Sequence, residues 1–366
     1  MSRYIISGGG TGGHIFPAIS IADKLKEREP GCEILFVGAS GRMEMEKVPA
    51  AGYKIIGIPI SGLKRSLSLD NLKLPFKILK AVRMAKKIIR DFRPDVVIGV
   101  GGYASAPTLW AAQRLHIPTV IQEQNSYAGL TNKIVCKKAK SICVAYDGME
   151  KFFPADRIVF TGNPTRKNIR KYSSEDREKG RQLFHLDGSK KTLFIVGGSL
   201  GSGTLNKSMR KWISEKHGED FQIIWQCGKY YEPECRKFIE EHQPENIRLQ
   251  AFISDMDAAY AAADLVISRA GACSISELQI VGKPTIFVPS PNVTEDHQTH
   301  NAMSLVRKDA AMIVKDAEAP EKLLELAAKT IADDSRLNTL TQNILKLAKT
   351  DATDRIADEI VKLKKA

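Results

Sequence analysis

The feature that most narrows the fold is an apolar strand that runs into glycines and then into a helix. Tyr4-Ile5-Ile6 is followed by Gly8-Gly9-Gly10-Thr11-Gly12-Gly13-His14. Glycines there let the backbone turn tightly and approach a phosphate or sugar, and the positive end of the next helix faces that ligand. Pro17 is expected in the first turn of the helix, where its missing N–H is tolerated. The device returns where Thr192 to Val196 leads into Gly197-Gly198-Ser199-Leu200-Gly201-Ser202-Gly203. Two such units predict an α/β chain with two Rossmann-like, doubly wound parallel sheets.

Length and pattern agree with two units. At 366 residues the chain exceeds the size at which one hydrophobic core usually stops growing. Short runs rich in Val, Ile and Phe alternate with longer amphipathic stretches, the pattern of strands and covering helices. Strands are predicted over 4–7, 33–37, 54–58, 95–100, 118–122, 141–144 and 158–160. After Thr161-Gly162-Asn163-Pro164 the pattern restarts with a charged helix over 175–186. Strands follow over 192–196, 222–226, 247–251, 264–268, 284–288 and 311–314. The expected domains are therefore 1–163 and 164–349, with a helix over about 350–366 that can fold back on the first. Ligands of open α/β sheets bind beyond the carboxyl ends of the strands, so a central cleft between the halves is the expected site.

The chain is 43% hydrophobic and 27% charged, with no low-complexity tract, which fits a folded protein. Its net charge of +13 calls for an anionic partner. None of the standard nucleic-acid signatures is present, so nucleic acid is not the expected one. Cys32, Cys136, Cys143, Cys227, Cys235 and Cys273 include no C-x-x-C pair and read as reduced core residues. The opening strand lacks a signal-peptide pattern and no apolar run is long enough to span a bilayer, so a cytoplasmic location is expected.

Gly8, Gly10 and Gly13 satisfy the dinucleotide pattern G-x-G-x-x-G, but the second strand ends Phe36-Val37-Gly38-Ala39-Ser40 without the acid that would hold a ribose. His14 at the end of the loop is either a general base or a residue that packs against the loop. Ser199 sits in a second loop suited to a diphosphate, or to a plain turn. Ser268-Arg269-Ala270-Gly271-Ala272-Cys273-Ser274-Ile275-Ser276-Glu277 brings a carboxylate that either accepts from ribose hydroxyls or complements a helix dipole from the first turn. Asp255-Met256-Asp257 has the D-x-D spacing of some metal sites but opens a helix and reads as a cap. His297 and His300 are too few for a zinc site.

Read together, GGGTGGH, GGYAS at 101–105, QEQN at 122–125, TGNPTR at 161–166, GGSLG, SRAGACSISE and EDHQTHNA at 295–302 resemble the MurG family of glycosyltransferases, in family 28 of the GT-B group. The resemblance spans nearly the whole chain in order. It implies two Rossmann-like domains facing a cleft. It also implies inverting transfer of N-acetylglucosamine from UDP-N-acetylglucosamine to the C4 hydroxyl of undecaprenyl-diphospho-N-acetylmuramoyl-pentapeptide (lipid I), making the β-1,4 link of lipid II in peptidoglycan synthesis.

By resemblance, Thr11, Gly12, Gly13 and Asn125 face the donor sugar, and Arg166, Ser199, Ile253, Ala272, Cys273, Ser274, Ile275, Ser276, Glu277 and Gln298 complete the donor site. Ile253 is expected to act through its backbone at uracil, Glu277 at ribose, Ser199 at a phosphate, and Gln298 with Asn125 at sugar hydroxyls. His14 is the candidate base, and Glu123 is the next carboxylate to consider. Helix ends and a basic side chain, Arg166 or Arg269, are expected to offset the charge of the leaving diphosphate, so no metal or other cofactor is called for.

The segment 64–90 carries Lys64, Arg65, Lys73, Lys77, Lys80, Arg83, Lys86, Lys87 and Arg90 among leucines, isoleucines and Phe76. It reads as a solvated helix face or an anionic-membrane surface, and a lipid-linked acceptor favours the second. A second patch, Lys133, Lys137, Lys138 and Lys140, can join it. The expected location is peripheral, on the cytoplasmic face of the cell membrane, with proteins of cell-wall synthesis as further partners.

Overall fold

The apolar runs are strands buried on both faces, as a parallel sheet covered by helices requires. Tyr4, Ile5 and Ile6, for example, are all fully buried, although successive side chains point to opposite faces. A computed structural model describes residues 1–60, 74–198, 200–215 and 220–364. Among them the strands are β1 (Arg3–Ser7), β2 (Glu33–Ala39), β3 (Lys54–Ile58), β4 (Val96–Gly99), β5 (Thr119–Glu123), β6 (Ser141–Val144) and β7 (Ile158–Phe160). They continue with β8 (Lys191–Val196), β9 (Phe221–Gln226), β10 (Ile247–Gln250), β11 (Leu265–Ser268), β12 (Thr285–Phe287) and β13 (Met312–Ile313).

These strands form a seven-stranded sheet in the order β3-β2-β1-β4-β5-β6-β7 and a six-stranded sheet in the order β10-β9-β8-β11-β12-β13. The pairings are parallel, as in β1 with β4 and β8 with β11. In each sheet the chain first winds outward and then returns to the other side of its starting strand. The order therefore reverses between β1 and β4, and again between β8 and β11. Strand β2 runs two residues beyond its expected end because Gly38 and Ala39 pair in register with Gly57 and Ile58.

The chain divides into two compact units, Met1–Lys167 with Lys349–Ala366, and Asn168–Ala348. In the first unit, helix Ala352–Val361 inserts Ile356, Ala357 and Ile360 into the cluster of Tyr4, Ile15, Ile21 and Phe36. Arg28 holds the same helix through Asp354 and Asp358. In the second unit, Trp225, Ile223 and Ile267 centre a core that includes Leu323 and Ala327. Helix Ser174–Leu183 opens on a capping box: Ser173 accepts from the Asp176 N–H, and Asp176 accepts from Ser173.

The placement of Pro17 also changes. Helix Gly12–Arg28 starts at the last glycines of the first loop, so Pro17 is its sixth residue rather than part of its first turn. A proline there cannot donate to the carbonyl of Gly13 four residues back. The helix tolerates it one turn from its start, with Pro17 buried beside Ile15 and Ala18.

Candidate active site

In the first unit the loop after β1 rests on a carboxylate that comes from a different helix. Glu44, the first residue of helix Glu44–Ala50, is 1% exposed. Its Oε2 accepts from the Gly10 N–H at 2.9 Å, and its Oε1 accepts from the Ala39 N–H at the end of β2 at 2.9 Å. The missing acid at the end of β2 thus has a counterpart five residues on, turned under the loop. A side chain at Gly9 would collide with this carboxylate.

From the other side of the reversal point, the loop after β4 meets the first loop backbone to backbone. A Cβ at Gly102, where φ is +86°, would overlap the Gly9 carbonyl oxygen. The GGGTGGH and GGYAS motifs are therefore two halves of one interlock. His14, partly exposed in the first turn of its helix, sets Nδ1 3.0 Å from the Gly9 carbonyl and 3.4 Å from Thr11 Oγ1. A carbonyl only accepts, so Nδ1 is the donor in this contact. Nε2 lies over Gly101, where an added Cβ would stand 2.9 Å away. Thr11 caps the helix in extended conformation without a side-chain bond to its N–H groups, and Thr11 and Gly13 are exposed.

The QEQN segment, at the end of β5, is a buried polar knot. Gln122 Nε2 donates to Asn163 Oδ1 at 2.9 Å, Asn163 Nδ2 donates to the Gln124 carbonyl at 3.0 Å, and Gln124 Nε2 donates to the Val100 carbonyl at 2.8 Å. Glu123 is 1% exposed. Its oxygens accept from the Asn125 N–H at 3.1 Å, the Gly129 N–H at 3.0 Å and Asn132 Nδ2 at 2.9 Å. Burial pushes its carboxyl up and these donors pull it back. Glu123 thus shapes the loop that presents half-buried Asn125, and its carboxylate does not open to solvent. Arg166 is partly exposed at the end of the same unit.

The second unit repeats the interlock with different partners. A Cβ at Gly201, where φ is +79°, would overlap the Cys227 carbonyl, so the loops after β8 and β9 meet main chain to main chain. Buried Gln226 joins this loop to the one after β10, donating Nε2 to the Gly198 carbonyl at 3.0 Å and accepting from the Ile253 N–H at 2.9 Å. The Ile253 N–H is thus donated within the protein. Ser199 lies outside the described residues.

Helix Ala272–Val281 begins beyond β11 with Gly271 as its cap, so Ala272, Cys273, Ser274, Ile275 and Ser276 bring the first turns of a helix to the reversal point. Ser276 Oγ turns back to the Ala272 carbonyl at 3.1 Å. Glu277 is the sixth residue of the helix, and its first turn holds no acid, so the first-turn dipole alternative does not apply. Its Oε2 accepts from Tyr260 at 3.4 Å. Gln298 Oε1 accepts from the Ala270 N–H at 3.2 Å and the Ser290 N–H at 2.8 Å, tying the loops after β11 and β12 together. Arg269 is engaged internally with Asp316, with Ser202 Oγ at 2.6 Å and with the Val288 carbonyl at 2.9 Å.

Asp255 caps helix Met256–Ala262 by accepting from the Ala258 N–H at 3.0 Å, while Asp257 accepts from Asn168 and, at 3.2 Å, from Tyr172. The two carboxylates thus serve different neighbours.

On the first unit, helix Leu74–Phe92 buries Ala81, Ala85, Ile88 and Ile89 and turns Lys80, Arg83, Lys87 and Arg90 outward. Phe76 is 77% exposed near its start, and Leu130 and Ile134 on helix Leu130–Val135 are 65% and 61% exposed. Both helices pack against helix Ser105–Arg114. Lys64, Arg65 and Lys73 lie outside the described residues. No helix among the described residues is long and apolar enough to cross a membrane.

Residues 4–144 match the glycosyltransferase family 28 N-terminal domain and residues 192–356 its C-terminal domain. The chain is 55% identical, over 99% of its length and 98% of the relative's, to the UDP-N-acetylglucosamine--N-acetylmuramyl-(pentapeptide) pyrophosphoryl-undecaprenol N-acetylglucosamine transferase of Parabacteroides distasonis. The chain belongs to the MurG family. The crystal structure of Acinetobacter baumannii MurG is similar with a TM-score of 0.79 and 32% identity, covering 99% of this chain and all of that one. A UDP-N-acetylglucosamine 2-epimerase shares the fold alone, with a TM-score of 0.64 at 16% identity over 99% of this chain and 95% of that one.

Membership in the MurG family accounts for the order of the motifs, while the geometry supplies what the motifs do not spell out. Glu44, Gln226, Gln124 and Asn163 hold the loops and were not among the residues expected from sequence. Each acts on backbone groups far away along the chain. Only the polar character of positions near strand ends hints at them.

Proposed function

We propose that this chain transfers N-acetylglucosamine from UDP-N-acetylglucosamine to the C4 hydroxyl of undecaprenyl-diphospho-N-acetylmuramoyl-pentapeptide, forming the β-1,4 link of lipid II. The observation that carries the reading is the 55% identity, along 99% of the chain, to a transferase named for that donor and acceptor. In this reading the acceptor hydroxyl attacks the anomeric carbon from the side opposite UDP. The bond from that carbon to the diphosphate oxygen breaks, UDP leaves with the electron pair, and the hydroxyl proton passes to His14 Nε2. The donated bond from Nδ1 to Gly9 supports the role, because it fixes the tautomer a base needs.

Thr11, Gly12, Gly13 and Asn125 line the reacting sugar. The second unit holds the nucleotide, with the Ile253 carbonyl at uracil, Glu277 at ribose, Ser199 at a phosphate and Gln298 through its amide nitrogen at a sugar hydroxyl. Ala272 to Ser276 supply the helix start. Arg166 or Arg269, the latter also bound to Asp316, offsets the charge of the leaving diphosphate. No divalent ion is required, and transfer abolished by EDTA and restored by Mg²⁺ would overturn this part.

Helices Leu74–Phe92 and Leu130–Val135 bring the chain to the cytoplasmic membrane face, with exposed Phe76, Leu130 and Ile134 entering the interface and the lysines and arginines meeting anionic headgroups. Vesicles with anionic lipid should bind the protein at low salt and release it at high salt; equal binding to neutral vesicles would count against it.

Labelled donor and a lipid-linked muramoyl acceptor test the whole reading. The expected product is the lipid-linked disaccharide. Acceptor-independent conversion of the donor to its 2-epimer would instead count for an epimerase activity, as in the epimerase that shares this fold.

A further inference from the structure

We propose that Glu44 is a positioning residue for His14, acting through the single peptide group that joins Gly9 to Gly10. The inference rests on His14 being the base of the proposed reaction. That peptide is gripped at both ends. Its N–H, on Gly10, donates to Glu44 Oε2 at 2.9 Å, and its carbonyl, on Gly9, stands 3.0 Å from His14 Nδ1. A carboxylate accepting from the N–H side draws electron density toward the carbonyl oxygen, which then binds the imidazole N–H more strongly, as hydrogen bonds in series do. The arrangement is a carboxylate, a peptide and an imidazole in line.

Three features hold the line in place. Glu44 is 1% exposed and its other oxygen is tied to the Ala39 N–H, so the carboxylate has one orientation. Gly9 leaves no room for a side chain between carboxylate and peptide. Gly102 closes on the Gly9 carbonyl from the far side, so the peptide plane cannot rotate away. Among the groups set against the ring are the Thr11 hydroxyl from its own helix end, the Gly9 carbonyl from the first loop and the Gly101 backbone from the loop after β4. Glu44 is the charge that faces this loop from beneath. Its negative charge favours the imidazolium that forms when the base takes a proton.

The test uses the full chain and Glu44→Gln, which keeps the size of the side chain and removes the charge. Glu44→Gln is expected to lower kcat about tenfold or more while KM for UDP-N-acetylglucosamine stays within about twofold. The acid limb of its kcat profile should move to lower pH by about half a unit to one unit. A purely structural role would lower kcat and leave the limb where it was, and that result would overturn the proposal. The imidazole nitrogen resonances of His14, assigned with His14→Gln, should report one tautomer in the parent and a mixture in Glu44→Gln.

If Glu44→Gln does not fold, the parent protein decides alone. The Gly10 amide resonance should move through the His14 titration with the same midpoint, and a Gly10 resonance that stays still refutes the coupling. A protein that shows this coupling but transfers no sugar would sink the proposed reaction and leave the Glu44 contact standing. Transfer without coupling would sink this inference alone.

Discussion

Gly101→Ala puts a methyl group against the proposed base. At φ +89° an L-residue costs about 1–2 kcal/mol. The new Cβ would stand 2.9 Å from both Cδ2 and Nε2 of His14, roughly half an ångström or more inside an ordinary contact. The ring must yield by a few tenths of an ångström, and it does so by stretching the 3.0 Å approach to the Gly9 carbonyl. A positioned base contributes about 10²- to 10⁴-fold, and misplacement by about an ångström costs about 10²-fold. We therefore expect kcat to fall about 30- to 100-fold, with donor KM within about twofold because the nucleotide is assigned to the second unit.

Gly148→Ala separates strain from contact. Gly148 has φ +71° with nothing within 4 Å of an added Cβ, so it should show the backbone cost, about 2–4 °C of Tm per kcal/mol, at normal kcat. Steady-state transfer and thermal unfolding of both variants supply the comparison. If Gly101→Ala loses Tm like Gly148→Ala but keeps kcat, His14 is not the base or is not held as described.

Gln226→Leu removes a donor to exposed Gly198 and the acceptor for the buried Ile253 N–H, leaving that N–H unpaired at about 1–3 kcal/mol; donor KM should rise about tenfold with kcat little changed, and an unchanged KM in steady-state kinetics refutes the link. Burial pushes Lys283 down to about 8, whereas unfolded lysine titrates near 10.4, so the unfolded state binds more protons between those values and this group's contribution to stability rises with pH across them. Denaturant unfolding at pH 7.5 and 10 should show the stability difference between Lys283→Met and the parent moving in the parent's favour by about 1–2 kcal/mol, a figure reduced for partial exposure; a constant difference would be inconsistent. Asp255→Ala should cost about 1 kcal/mol of stability, the ordinary loss of an N-cap, with normal transfer kinetics.

The strands were legible because burial on both faces leaves continuous apolar runs, and the glycine loops because backbone approach admits no other residue. Boundaries moved where pairing decided them: Gly38 and Ala39 have weak strand character of their own and extend β2 only because Gly57 and Ile58 lie in register beside them. Pro17 pointed to a first turn, yet the helix begins at Gly12, since Thr11 in extended conformation already accepts the first helical N–H groups of His14 and Ile15. The carboxylate that holds the first loop could not be read from the sequence, because the bond of Glu44 to Gly10 spans 34 residues and leaves no local pattern. Glu123 carried the right chemistry for a base, and only the donors folded around it show that it serves the loop.

The interlock of Gly9 with Gly102, and of Gly201 with Cys227 and Gly228, bears on how this protein could escape an inhibitor. A compound seated on those joined loops would touch main chain, which codon changes do not remove. The usual escape, a larger side chain at the contact, is closed there because any Cβ at Gly102 or Gly201 strikes a carbonyl that the fold needs. Resistance would have to arise at the rim, in residues such as Thr11 or Leu200, where substitutions leave the loops joined.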